Sequence, residues 1–287
     1  MKIFQAIQKA DTVLQFYEKT QIKLNYLIAF NYIGKQMEKL TKDYREMIDT
    51  LYLESGGYAV RQGKARVILS QYADYLQSYG HLFDRFTSLD NKHNDLPHNL
   101  SNLLYLQENL PEIKDRLIPV LHEPQDYFQE IKSLADLGFD YVAIGTPKKI
   151  KDAVFEETKK ELPQMKLHLL GKLNRQILVN HGPDSVDASS WLRAAVYGMV
   201  HYWHPEEHKE YRIYVGEGAI KNKSIVRYKN FQYKEQLDEL ITGTFEYTPQ
   251  DIVASLEARS MLNLYFYKQL ENYINNTRNC QNKYILN

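Results

Sequence analysis

Residues 139–171, FDYVAIGTPKKIKDAVFEETKKELPQMKLHLLG, contain the unit on which the fold rests. FDYVAI at 139–144 is a short apolar run stopped by Gly145, and KLHLL at 166–170 is a second, stopped by Gly171. Both are too short for a core helix and are bounded by turn residues, so they read as buried strands. The stretch between them, from about 148 to 161, reads as a helix. A strand, a helix and a strand of this length make a parallel crossover unit, because two parallel strands need a long return path.

The same unit recurs on both sides. Toward the N-terminus, LIPVL at 117–121 is a strand followed by a helix at 124–137 with Pro124 near its first turn. FTSLD at 86–90 precedes a helix at 99–110. LYLE at 51–54 precedes Ser55-Gly56-Gly57 and a helix at 65–79 with Val67, Ile68, Tyr72, Tyr75 and Leu76 on one face. LNYLIAF at 24–30 precedes a helix at 35–49 with Met37, Leu40, Tyr44 and Ile48 at helical spacing. Toward the C-terminus, 184–187 is a short strand before a helix at about 189–199, and YRIYV at 211–215 is the eighth strand. Eight strands, most followed by a helix, predict an α/β fold: a (β/α)8 barrel over about 24–245, with an open doubly wound sheet as the alternative. An amphipathic helix follows Thr248-Pro249 over about 249–276. No Pro/Gly/Ser-rich linker divides the chain, which predicts a single domain over 1–287.

Composition narrows the function classes. The 287 residues are 44% hydrophobic and 25% charged, and 36 basic residues balance 36 acidic ones. A general polyanion binder would be basic overall, so contact with nucleic acid would need a local patch. The single cysteine, Cys280, excludes an intrachain disulfide and any multi-cysteine zinc site. The N-terminal stretch carries charges throughout and no apolar core of a signal peptide, and no apolar run is long enough to span a membrane. Those features predict a cytoplasmic protein without membrane contact.

In such a barrel, chemistry sits where strands end. The predicted strand ends carry Glu54-Ser55-Gly56-Gly57, Asp90-Asn91, His122-Glu123, Gly145-Thr146, Gly171-Lys172 and Asp187. Polar groups held on rigid strands, with glycines letting a flat ligand approach the backbone, suit a pocket floor. Each residue also has a plainer reading. Asp187 or Asp90 could cap a helix, Glu54 could be a solvated turn residue, and His122 could be a satisfied structural histidine. His201 and His204 could share a helix face with His208 beyond, but Pro205 interrupts and no acidic or cysteine partner is placed, so no metal is assigned there. KNKSIVRYKNFQYK at 221–234 interleaves Lys221, Lys223, Arg227, Lys229 and Lys234 with Tyr228, Phe231 and Tyr233, a pattern suited either to a solvated hairpin or to phosphates and stacked bases. Lys148, Lys149 and Lys151 follow a strand end and could add to such a patch.

YLESGGYAV at 52–60, TSLDN at 87–91, IPVLH at 118–122, YVAIG at 141–145, LHLLGK at 167–172 and DSVDASSW at 184–191 occur in the order found in the tRNA-guanine transglycosylase superfamily, which the chain resembles over about residues 24 to 200. The last motif is nearest to the DNA-modifying and phage branch. The resemblance implies exchange of guanine for a 7-deazaguanine base, as in queuosine-type modification, in DNA more than tRNA; the alternatives are a catalytically silent barrel that binds a nucleotide or nucleic acid in a complex with partner proteins, and a base or nucleoside hydrolase. It makes Asp187 the nucleophile at the sugar C1′ and Glu54 the proton manager. Ser55, Gly56, Asp90, Asn91, His122, Gly145, Gly171 and Lys172 would contact the base. Two features depart from the family: Glu54 stands where it has an aspartate, and its zinc site of three cysteines and a histidine has no counterpart, so no cofactor is expected.

Overall fold

The computed structural model describes residues 1–285 apart from 93–94, 123–125, 146–151, 172, 174, 181, 217, 219–221 and 223, and for 280–285 the backbone only. Glu123, Thr146, Lys148, Lys149, Lys151, Lys172, Lys221, Lys223 and the Cys280 side chain therefore lie outside the described residues. The chain's contacts fall into two compact units, residues 1–10 with 25–188 and residues 11–24 with 189–287.

The first unit is a barrel of parallel strands. In chain order these are β1 (Lys2–Ile7), β2 (Leu24–Ala29), β3 (Ile48–Glu54), β4 (Arg85–Thr87), β5 (Leu117–Ile118 and Val120–Leu121), β6 (Tyr141–Ile144), β7 (Lys166–Leu169) and β8 (Ser185–Ala188). Hydrogen-bonded neighbours run from the first half of β5 through β4, β3, β2, β1, β8, β7 and β6 to the second half of β5. The two ends of that order meet at Pro119, so the ring closes through one broken strand. Proline cannot donate to a ladder, yet its carbonyl still accepts from the Ala143 N–H at 2.8 Å, and Gly145 donates to Leu121 at 2.7 Å. The (β/α)8 barrel read from the sequence is the observed fold class.

Alternation sorts side chains between the inside of the barrel and its outer face. Phe4, Leu27, Tyr52, Ile118, Val120, Tyr141 and Ala143 form one buried cluster. Phe4 stacks on Tyr52 with ring centroids 4.0 Å apart, and Tyr141 meets Tyr52 edge-on at 6.4 Å. Aromatic rings filling a barrel in this way make it a packed core and not a channel.

Among the described residues the barrel has eight strands, but they are not the eight expected. Lys2–Ile7 is one of them, and 211–215 is not. Gln5 interrupts the apolar run of β1, yet it is only 1% exposed, since parallel strands are covered on both faces. The helix expected at 35–49 is instead a succession of tight and wide turns, with Ile48 already in β3. Its helical spacing is real but local: Thr41 Oγ1 donates to the Met37 carbonyl, while Arg45 donates to the Ile48 carbonyl and grips Asp84, turning the chain into the strand.

In the second unit, β9 (Met199–His204) pairs antiparallel with β10 (Lys209–Tyr214), and β11 (Ile225–Arg227) lies parallel beside β10. Helices at Lys234–Phe245, Pro249–Ala254 and Leu256–Ile285 follow. The helix expected over 249–276 is thus two, broken at Ser255, and the first opens with a capping box in which Thr248 and Asp251 satisfy each other's backbone N–H groups. Among the described residues no helix is long and apolar enough to cross a membrane.

Candidate active site

Glu54 is the last residue of β3 and takes the inward register set by Tyr52. The turn after it is built by glycine. Gly56 has φ +83°, a left-handed conformation that a side chain resists, and a Cβ on Gly57 would stand 2.3 Å from Asp90 Oδ1. That close approach lets Ser55 reach Asp90. Ser55 Oγ donates to Asp90 Oδ1 at 2.8 Å, and its N–H donates to Thr87 Oγ1 at 2.8 Å.

Asp90 is 3% exposed and is fully engaged. Arg61 reaches its Oδ2 at 2.9 Å and its carbonyl at 3.0 Å, and His122 Nε2 lies 2.5 Å from the same Oδ2. Burial alone would raise this carboxyl; the hydrogen bond and charge of His122, then Arg61 and Ser55, more than offset it and hold Asp90 below the usual range. His122 sits against bare backbone, because a Cβ on Gly145 would fall 1.9 Å from its Nδ1. Asp90 is therefore a buried anion in a network, not a helix cap. Asn91 lies beside it, where its side-chain oxygen meets His98 Nε2 at 3.1 Å and Asn102 Nδ2 at 3.3 Å.

Asp187 is the third residue of β8, and the cap reading fails here too, since the next helix is preceded by Ser189. Its Oδ1 accepts the Gly171 N–H at 2.7 Å and lies 3.4 Å from His168 Nε2. Behind it, His168 Nδ1 and the Tyr141 hydroxyl each meet Ser185 Oγ at 2.5 Å. A chain of polar groups thus runs down the barrel interior from Asp187 through His168 and Ser185 to Tyr141.

Glu54 feels these neighbours. Burial, then the negative charges of Asp187 and Asp90, outweigh the Arg61 guanidinium and push its carboxyl up to about 8. It keeps partial access to solvent although protein surrounds the carboxyl. At neutral pH it is chiefly a neutral acid beside the negative charge of Asp187. Two carboxyl groups held in different protonation states can give and take protons in one reaction.

The structure brings Glu54, Ser55, Gly56, Asp90, Asn91, His122, Gly145, Gly171 and Asp187 to strand ends on one side of the barrel. Sequence reasoning missed Arg61, which holds Asp90, and His168, whose Nε2 lies 3.4 Å from Asp187. His168 carried a signal, since a histidine inside an apolar strand must find a partner. The basic stretch lies in the second unit. There Arg227 donates to the Gly216 and Gly218 carbonyls, Lys234 pairs with Asp238, and Phe231 is 4% exposed. Lys229 is exposed. His201 and His204 are on a strand, not a helix, and three positions apart they face opposite sides. His201 Nδ1 meets Glu210 at 3.1 Å, and His204 Nδ1 accepts the Glu207 N–H at 3.1 Å. No group of three His, Cys, Asp or Glu among the described residues is placed to hold a metal.

No family model and no curated protein matches the chain. Solved structures do. One, from Coccidioides immitis and described as a "putative fructose-1,6-biphosphate aldolase", covers 91% of this chain with 89% of its own length, at 13% identity and a TM-score of 0.50. At that identity the likeness establishes the barrel fold alone. The resemblance to tRNA-guanine transglycosylases does not stand beside these findings: no family model supports it, and the matched barrel is described as an aldolase. The base-exchange activity, the glycosyltransferase class and the queuosine and DNA-modification readings fall with it. The physical reason lies in the motifs. Any (β/α)8 barrel places polar residues and glycine after short apolar strands and serine before helices, so short motifs in strand order report the architecture first. The chain is a (β/α)8 barrel similar in fold to an aldolase-described structure, with a carboxylate pair at its strand ends.

Proposed function

We propose that this chain is an acid–base enzyme of the lyase type, cleaving a carbon–carbon bond in a small hydroxy-carbonyl substrate. The observation that carries the reading is the placement of Glu54 and Asp187 at strand ends on one side of the barrel, where burial and then the charge of Asp187 push the Glu54 carboxyl up to about 8. In an aldol cleavage, Asp187 takes the proton of the substrate hydroxyl. The carbon–carbon pair moves toward the carbonyl, and the carbonyl oxygen receives the Glu54 proton, leaving an aldehyde and an enol. Both steps are general acid–base catalysis and need groups in opposite protonation states at the working pH. Burial and the charge of Asp187 keep Glu54 protonated, and Asp90, locked by Arg61 and His122, adds a further fixed negative neighbour.

The name of the similar structure chooses the first substrate, fructose 1,6-bisphosphate, to be tried beside other hydroxy-ketones. Cleavage is followed by trapping the released aldehyde. Glu54→Gln and Asp187→Asn should each lower kcat/KM by about 100-fold or more. Wild-type activity should fall as pH rises through about 8, where Glu54 loses its proton. Cleavage that survives unchanged in both variants would remove the assignment.

A further inference from the structure

The opposite end of the barrel holds a cavity of about 650 Å³ lined by Lys2, Arg85, Arg116 and Lys166 and by Asp84 and Asp184, with Phe4, Tyr52 and Tyr141 also in its wall. This end of a (β/α)8 barrel ordinarily serves stability, so its charges would be expected to cancel one another. They do not. Asp84 is taken by Arg45, at 3.1 and 3.0 Å, and by the Leu51 N–H at 2.7 Å. Asp184 Oδ2 accepts the Leu167 N–H at 2.9 Å. Of the four cations, Lys2 alone has a carboxylate partner among the described residues, Asp49 at 3.3 Å.

Arg116 and Arg85 are bound to backbone carbonyls instead. Arg116 donates to His81 at 2.7 Å and Phe83 at 2.6 Å, and Arg85 donates to Asp115. A guanidinium has five N–H donors, so each is oriented by its carbonyl contacts with donors to spare and its charge unpaired. The Lys166 ammonium makes no hydrogen bond or ion pair among the described residues. Three cations around one concavity that have no carboxylate partner among the described residues, with aromatic rings beside them, form an oxyanion site with a face for a ring or sugar.

We propose that this cavity binds a small phosphate-bearing molecule. Its concave shape and size suit a small ligand and not a nucleic-acid strand or a protein surface. The site is separate from the carboxylates at the strand ends and does not depend on the lyase reading. Tyr141 links the two regions, since it lines the cavity and also closes the chain of polar groups that begins at Asp187.

The test is calorimetric titration of the full chain with inorganic pyrophosphate at low ionic strength, with citrate as a carboxylate contrast. Saturable one-to-one binding is expected, weakened by about tenfold or more in Lys166→Glu. Lys166 is exposed and makes no hydrogen bond or ion pair among the described residues, so this variant should melt as the wild type does. Glu54→Gln should bind pyrophosphate unchanged, which separates this cavity from the strand-end site. The proposal is overturned if the wild type gives no saturable heat, if Lys166→Glu binds equally well, or if citrate binds as tightly as pyrophosphate.

Discussion

At pH 7 the Glu54 carboxyl keeps its proton, and this ties the stability of the barrel to pH in an unusual direction. A carboxyl whose folded pKa is raised binds its proton more tightly in the native state than in the unfolded one. Its stabilisation is fully present below the ordinary value of 4.5 and is lost as pH rises through about 8. A tenfold difference in proton affinity between the two states is worth about 1.4 kcal/mol. Allowing for partial solvent access, ionising Glu54 costs on the order of 2–4 kcal/mol. Glu54→Gln removes the ionisation, so at pH 9 the variant should melt above the wild type, while at pH 4 the two should agree within error. Thermal melts across that range check it, and a wild type that stays the more stable at pH 9 would sink the electrostatic account. The same reasoning makes Asp187 part of the cause. In Asp187→Asn a negative neighbour is gone, and the Glu54 titration, followed by carbon-13 NMR of the carboxyl, should move below about 8.

At the scale of elements, β5 and β6 carry the tightest fit. His122 follows β5 and lies where a Cβ on Gly145, just after β6, would be 1.9 Å from its ring. Gly145→Ala must push the imidazole away or bend the strand, and overpacking of this kind costs about 1–3 kcal/mol. The displaced imidazole would also lose its bond to Asp90, leaving Arg61 and Ser55 to hold it. A lower urea midpoint for Gly145→Ala is expected, with partial recovery when His122→Asn is added. An unchanged midpoint would show that the ring has room. Gly145 is legible in the sequence as a strand stop, but its reason is not: the contact with His122 joins two strands and no local pattern encodes it. The same divide runs through the site. Glu54, Asp90, His122 and Asp187 can be found because polar residues end apolar strands. Arg61 cannot, because it lies in a short helix beyond the Gly56-Gly57 turn and reaches back to Asp90. The helix expected at 35–49 forms only as short, irregular helical turns and stops at Met47, because Ile48 joins the sheet.

At the scale of the whole barrel, β1 decides whether the ring exists. Lys2–Ile7 pairs with β2 through Phe4 to Ile7 and with β8 through Lys2 to Gln5, so one six-residue strand seals the sheet on both sides. Its sequence, KIFQAI, does not read as a barrel strand because Gln5 breaks the apolar run, and the pattern instead begins the barrel at residue 24 and completes it with 211–215. That exchange keeps the count at eight and hides the error, since counting alone cannot say which strands close a ring. Closure has a physical consequence that counting lacks. Without β1, strands β2 and β8 each present a row of unpaired backbone groups, and exposed edges invite pairing with other chains. Phe4 would also leave the stack on Tyr52, opening the centre of the core. Deleting residues 2–7 should therefore abolish a cooperative thermal transition and drive aggregation, read by circular dichroism and light scattering. Deleting residues 211–215 should leave the barrel's own strand pairing intact, because these residues pair within the other sheet. If the chain lacking 2–7 remained monomeric and melted in a single sharp step, the barrel would not depend on β1 for closure.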